Sequence, residues 1–351
     1  MPPLPPHRHP LPRLITYHQT HHDPSGNPVS LLPLLTQPSI SITHVILAAI
    51  HLNPHPDPLT LNDHPPHHPR FQTLWAELRI LQASGIKVLG MLGGAAKGSY
   101  ARLDSTPDDF EFYYAPLRAL IQERGLDGLD LDVEEPMSLA GVIRLIDRLR
   151  ADFGADFLIT MAPVAMALLD SEKNLSGFDY EALEVMRGHE IAWYNTQFYC
   201  GWGDLSNTLM FDMMLQKGWR ADKIVVGVVT NPANGHGYVD WEMLSAVLTI
   251  LARRHQKFGG VMGWEYFNSL PGDAHRPWEW ANRLTLLLRG HALPSDSTSI
   301  GQAEHVQPEK AGKSQQAHSG GVIEVDPDPV DNLPLQVPRE FEYHSEEDAG
   351  S

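Results

Sequence analysis

The sequence predicts a (β/α)8 barrel, and three observations lead there. Short apolar or β-branched runs alternate with longer helical patterns. Eight such units fill roughly 280 residues, the usual size of that fold. One strand also carries acids along a single face, which a barrel would turn toward its interior.

In chain order the strand candidates are residues 14–19, 44–50, 87–92, 128–133, 157–162, 192–199, 223–229 and 260–266. The helix candidates between and after them are 71–83, 110–124, 139–153, 180–187, 209–217, 242–256 and 277–288. In 139–153, Val142, Leu145, Ile146 and Leu149 recur at helical spacing. Strand–helix alternation implies parallel pairing with right-handed crossovers. The rival architecture is an open doubly wound sheet. No G-x-G-x-x-G opens a helix after the first strand, which weakens its dinucleotide-binding version.

The ends differ from the middle. Residues 1–12 read as a flexible proline-rich lead, residues 13–290 as one catalytic barrel domain, and residues 291–351 as a disordered acidic tail. The tail holds 12 acidic and 3 basic residues among Ser, Gln, Gly and Pro, with too few large apolar groups to offset its ordering entropy. The whole chain carries a formal charge of −17, which argues against a nucleic-acid surface. A hydrophobic fraction of 42% supplies a sizeable core. Cys200 is the sole cysteine, so no intramolecular disulfide can form. The N-terminal residues lack the apolar stretch of a secretory signal, and no run of about 18 apolar residues could span a membrane. These features lead to the expectation of a cytoplasmic monomer with no membrane partner.

The chemistry concentrates in residues 127–135, D-G-L-D-L-D-V-E-E. Side chains alternate along a strand, so Asp130, Asp132 and Glu134 share one face, and Leu129, Leu131 and Val133 the other. In a barrel the apolar face meets the helices, and the acids point into an interior that is normally packed with branched apolar groups. Neighbours on that face sit only about 6–7 Å apart, so their titrations interact and one acid tends to keep its proton near neutral pH. A protonated acid beside ionised ones is what cleavage of a glycosidic bond requires. Glu134 lies at the C-terminal end of the strand, where barrel enzymes place their chemistry. The alternatives are a solvated acidic strand end or a metal site, but no nearby His or Cys pattern completes a metal site. Glu135 should point away from the row, and Asp127 should cap the strand start.

This segment resembles the D-x-x-D-x-D-x-E signature of glycoside hydrolase family 18, the chitinases and endo-β-N-acetylglucosaminidases. Asp127, Asp130, Asp132 and Glu134 match it position by position. Met91-Leu92-Gly93-Gly94 is similar to the family's S-x-G-G, with Met91 in place of serine. Met161-Ala162-Pro163 resembles the end of the fifth strand. Gln197-Phe198-Tyr199 looks like the segment carrying an active-site tyrosine, and residues 259–264 like the strand whose tryptophan floors the sugar site.

The resemblance implies substrate-assisted retention, with the sugar's own acetamido oxygen as nucleophile and no cofactor or metal. Glu134 would be the proton donor, Asp132 would orient the acetamido group, Asp130 would tune the pair, and Tyr199 would bond the acetamido oxygen. Trp264, Gln197, Met161, Gly93 and Tyr17 are expected at the substrate. The partner would be chitin or another glycan containing N-acetylglucosamine. A cytosolic endo-β-N-acetylglucosaminidase acting on the chitobiose core of N-glycans is the alternative within the family. A non-catalytic carbohydrate-binding protein on the same fold is the alternative outside catalysis. The five histidines of residues 51–68 fall among prolines and are expected to shape a rim of the cleft, and Trp278 and Trp280 to pack helices.

Overall fold

The computed structural model describes residues 11–54 and 58–290. Nine strands are found among them: β1 (Arg13–His18), β2 (His44–Leu52), β3 (Leu59–Leu61), β4 (Lys87–Gly93), β5 (Gly128–Asp132), β6 (Leu158–Met161), β7 (Trp193–Gln197), β8 (Ile224–Val229) and β9 (Gly260–Trp264). Eight run parallel in the order β1-β9-β8-β7-β6-β5-β4-β2, and pairing of β1 with β2 closes the ring. The eight strands expected from sequence are these eight. The added strand, β3, lies antiparallel to β2, with Ile50 opposite Leu61. Its three residues are too short for a periodic signal. The expected acidic tail, and all but Leu11 and Pro12 of the expected lead, lie outside the described residues.

Alternation along each strand sorts side chains into two layers. Leu129, Leu131 and Val133 join the outer cluster with Val142, Leu145, Ile146 and Leu149, the apolar stripe of the helix Leu139–Phe153. Each such fully buried aliphatic side chain contributes about 1.5–3 kcal/mol. Ser138 caps that helix by accepting from the Gly141 amide at 3.0 Å, and Gly154 ends it. The inner layer holds Ile15, Tyr17, Ile46, Leu89, Met91, Trp193, Val225 and Met262. At the N-terminal end the guanidinium of Arg13 lies 4.4 Å from the ring of Trp193, and His44 packs on the same ring at 4.7 Å. The barrel is therefore filled, and these rings close its N-terminal end; barrel enzymes bind their ligands at the opposite, C-terminal end. Trp280 is buried in the outer cluster with Trp278 packed partly against it, as expected of helix-packing aromatics. Among the described residues no helix is long and apolar enough to cross a membrane.

Candidate active site

Strand β5 ends at Asp132, and Glu134 follows two residues beyond its last ladder position. Val133, locked in the outer layer, fixes the parity that sends Asp130, Asp132 and Glu134 to the same side. Asp130 is fully buried and receives three hydrogen bonds. Tyr17 Oη donates to Oδ2 at 2.6 Å, while Thr160 Oγ1 at 2.5 Å and Asn195 Nδ2 at 2.9 Å donate to Oδ1. Burial pushes its pKa up, and the three donors oppose that shift. Asn195 is itself held by Trp193, whose Nε1 donates to Oδ1 at 2.9 Å.

Above Asp130, the carboxyls of Asp132 and Glu134 lie close enough to share one donor, Gln197 Nε2, and to act on each other's charge. Burial raises the Asp132 carboxyl well above its ordinary range, and the nearby charges of Glu134 and Asp130 raise it further. Glu134, half-buried, is also raised by burial. Gln197 Nε2 braces the pair, lying 3.1 Å from Asp132 Oδ1, 3.2 Å from Glu134 Oε1 and 2.9 Å from the Ala162 carbonyl. Tyr199 follows on the inward face of β7. Burial, then the carboxylates Asp132 and Glu134, raise its phenol well above the ordinary value and keep it a hydrogen-bond donor. Trp264 ends β9, half-buried, with its ring 5.6 Å from that of Tyr17.

Three expected substrate contacts fall elsewhere. Met161 is fully buried in the outer cluster, where register pairs it with Leu131. It faces the helices, because strand parity sends Thr160 inward instead. Tyr17 is 2% exposed and serves Asp130 from below. Gly93 pairs with Asp132 across β4 and β5, but its role is close approach. Its φ is +92°, and a Cβ there would lie 2.4 Å from the Tyr100 ring and 2.5 Å from the Asp132 carbonyl.

The two flanking acids have structural partners. Asp127 accepts from Lys87 Nζ at 2.7 Å, the Val88 amide at 2.9 Å and Gln82 Nε2 at 2.8 Å, tying the start of β5 to β4. Glu135 accepts from the Gly98 amide at 2.7 Å and the Tyr100 amide at 2.8 Å, holding the loop after β4. Thr160 and Asn195 were not singled out in the sequence. Inward parity on β6 and β7 was the signal that could have found them.

Past the C-terminal ends of β1 and β2 opens a cleft of about 460 Å³, lined by residues that include Gln19, Thr20, His21, His51, Asn62 and Phe71. His51 and His64, from the proline-rich segment, line this cavity. Asp132 and Glu134 are not among its walls; the cleft is built from the segments that follow β1 and β2.

A filled parallel barrel with a row of buried carboxyls at the C-terminal end of one strand defines the class of protein. The chain belongs to the glycosyl hydrolases family 18, whose family model matches residues 13–237. A fungal endo-β-N-acetylglucosaminidase of that family has a solved structure 49% identical to this chain, with a TM-score of 0.78, covering 80% of this chain and 100% of its own. The chitinase ChiC from Aspergillus fumigatus is 53% identical with a TM-score of 0.72, covering 78% of this chain and 98% of its own. Chitinase 2 of Rhizopus oligosporus is 28% identical over 200 residues, which make up 54% of this chain and 36% of that protein. Chitinase 1 of Rhizopus niveus is 25% identical over 260 residues, 67% of this chain and 46% of that one. The chain thus spans under half the length of these two curated relatives.

Proposed function

We propose that this chain is a glycoside hydrolase that cleaves β-1,4-linked N-acetylglucosamine in chitin-type polymers or oligosaccharides, with retention at the anomeric carbon. The observation that carries this reading is the Asp132–Glu134 pair at the C-terminal end of β5, bridged by Gln197 Nε2, with both acids raised by burial. A proton held there near neutral pH can be given to a departing glycosidic oxygen. Glu134, the outermost and least buried of the row, is the donor. As the proton leaves, the sugar's acetamido oxygen attacks its own anomeric carbon and forms an oxazolinium ring. Asp132 then turns its negative charge to the acetamido N–H and stabilises the growing positive charge. Glu134, now ionised, takes a proton from the water that opens the ring. The Tyr199 hydroxyl bonds the acetamido oxygen, Gln197 holds the carboxylates in register, and the Trp264 ring supplies the floor for a pyranose.

A second reading within the family is cleavage of the chitobiose core of N-glycans, favoured by the similarity to the fungal endo-β-N-acetylglucosaminidase across that protein's full solved length. One experiment separates the two. Wild type and Glu134→Gln are incubated with chitin oligosaccharides and with a high-mannose N-glycan, products are identified by mass, and the first anomer formed is read by NMR. Oligosaccharide cleavage to the β-anomer by wild type alone supports the first reading, and release of the glycan from its core supports the second. Binding without turnover of either by wild type overturns both in favour of a non-catalytic lectin-like role.

A further inference from the structure

We propose that Glu265 is a positioning residue whose buried carboxylate clamps the loop after β1 to the end of β9, fixing the gap between Trp264 and the cleft wall at Gln19 and Thr20. The barrel closes where β1 meets β9, and the ladder between them ends at the pair Thr16–Gly263. Beyond that pair a single backbone bond, from the Tyr266 amide to the Tyr17 carbonyl at 2.9 Å, continues the seam before loops take over. Glu265 spans the seam. Its Oε2 accepts from the Gln19 amide at 2.9 Å and the Thr20 amide at 2.8 Å, and its Oε1 accepts from the Thr20 hydroxyl at 2.8 Å.

The side chain is 5% exposed and these three donors are all neutral. Burying an ionisable carboxyl among neutral partners is costly, and a Gln or an apolar residue would fill the space more cheaply. A charge-assisted bond to two successive amides gives, in return, a stiffer link than a neutral group could. The backbone on either side is held as firmly. The Trp264 carbonyl accepts from the Thr230 amide at 2.8 Å, and the Glu265 carbonyl from Thr230 Oγ1 at 2.6 Å and Ser269 Oγ at 2.9 Å. On the far side, the Gln19 carbonyl accepts from Asn62 Nδ2 at 2.9 Å, and Asn62 Oδ1 accepts from the Ala49 amide at 3.1 Å. A continuous strut therefore runs from Trp264 through Glu265, Gln19 and Asn62 to β2. Gln19, Thr20 and Asn62 are all walls of the 460 Å³ cleft. Among the described residues no hydrogen bond joins the strut to the Asp132 or Glu134 carboxyl, so its role is in how a long glycan is held, and bond cleavage is left to the row.

This inference rests on the glycan-hydrolase reading, and its test is arranged to fail separately. KM and kcat are measured for wild type, Glu265→Ala, Glu265→Gln and Thr20→Val on a disaccharide-length chromogenic substrate and on chitin oligosaccharides of four to six units. Calorimetric Kd values for the same oligosaccharides are taken alongside. For Glu265→Ala, KM and Kd for the longer substrates rise about tenfold, the equivalent of roughly 1.4 kcal/mol, while kcat falls less than about twofold. Glu265→Gln, which keeps the size and one acceptor oxygen, recovers most of the affinity. Thr20→Val, which loses a single bond and leaves the core intact, raises KM about threefold. Equal changes on short and long substrates, or a fall in kcat with affinity unchanged, would overturn the clamp. Should Glu265→Ala not fold, an unchanged Kd in Thr20→Val overturns it equally. A wild type that binds but turns over nothing defeats the hydrolase reading and leaves the clamp to be judged on Kd alone.

Discussion

Five acids stand within nine residues of this chain, and their surroundings divide them into two sets. Asp127 and Glu135, at the two ends, accept from backbone amides, and Asp127 also from Lys87. Such partners compensate the charge, and both residues act as braces. Asp130, Asp132 and Glu134, in the middle, receive only neutral side-chain donors and one another, and burial raises all three. Proximity in sequence says little about role. What separates a working acid from a structural one is whether its surroundings settle its charge or leave a proton to be moved.

The largest test of that division is the pair Glu134→Gln and Glu135→Gln. The first should lower kcat by about two to four orders of magnitude, while the second should retain most of the activity. Comparable losses in both would erase the distinction.

Next in size is Asp132→Asn, with kcat down by about two to three orders of magnitude and a gain in stability that sharpens the comparison. A carboxyl whose pKa is raised on folding binds more protons in the native state than in the unfolded chain. Its stabilising contribution is complete below the ordinary carboxylate value and is lost as pH rises through the raised one. Removing that group should therefore stabilise the protein by about 0.5–2 kcal/mol at neutral pH and much less near pH 4, read by thermal melts at both values.

Tyr17→Phe deletes one of the three donors to Asp130. It should reduce kcat by about tenfold and move the kcat pH profile, since the Asp130 charge is then less well compensated. A pH profile identical to wild type would place Tyr17 outside the row's control. The smallest effect on turnover is expected from Glu135→Ala, which leaves the Gly98 and Tyr100 amides unsatisfied. It should cost about 1–3 kcal/mol of stability in denaturant unfolding and lower Tm by several degrees with kcat largely retained.

The inward parity of the acidic row was legible in the chain because three acids and three aliphatics alternate without a break. The eight strands were legible because their apolar runs are separated by helices of ordinary length. Where one residue had to be placed from a short motif, the reading faltered. Met161 was expected at the substrate through the likeness of Met161-Ala162-Pro163, whereas the parity of β6 sends Thr160 inward and Met161 out. Tyr17 has the inward parity but sits below the site rather than at its surface. Depth along the barrel axis is set by strand stagger, which a single strand's sequence does not carry. Glu265 lies past the end of β9, and its partners on the loop after β1 are more than 240 residues away in the chain, a contact no local pattern could announce.

The bond from Trp193 to Asn195 gives the barrel interior a direction. An indole can only donate, so it takes the Asn195 oxygen and obliges the amide nitrogen to face Asp130. The Tyr17 and Thr160 hydroxyls likewise spend their hydrogens on the same carboxylate. Asp130 thereby accepts three hydrogen bonds whose donors are aimed at it. These three bonds offset part of the cost of burying the Asp130 charge, which burial alone pushes toward the protonated form. The orientation of an amide at the deepest acid is thus set one residue further down, by a tryptophan on the barrel floor.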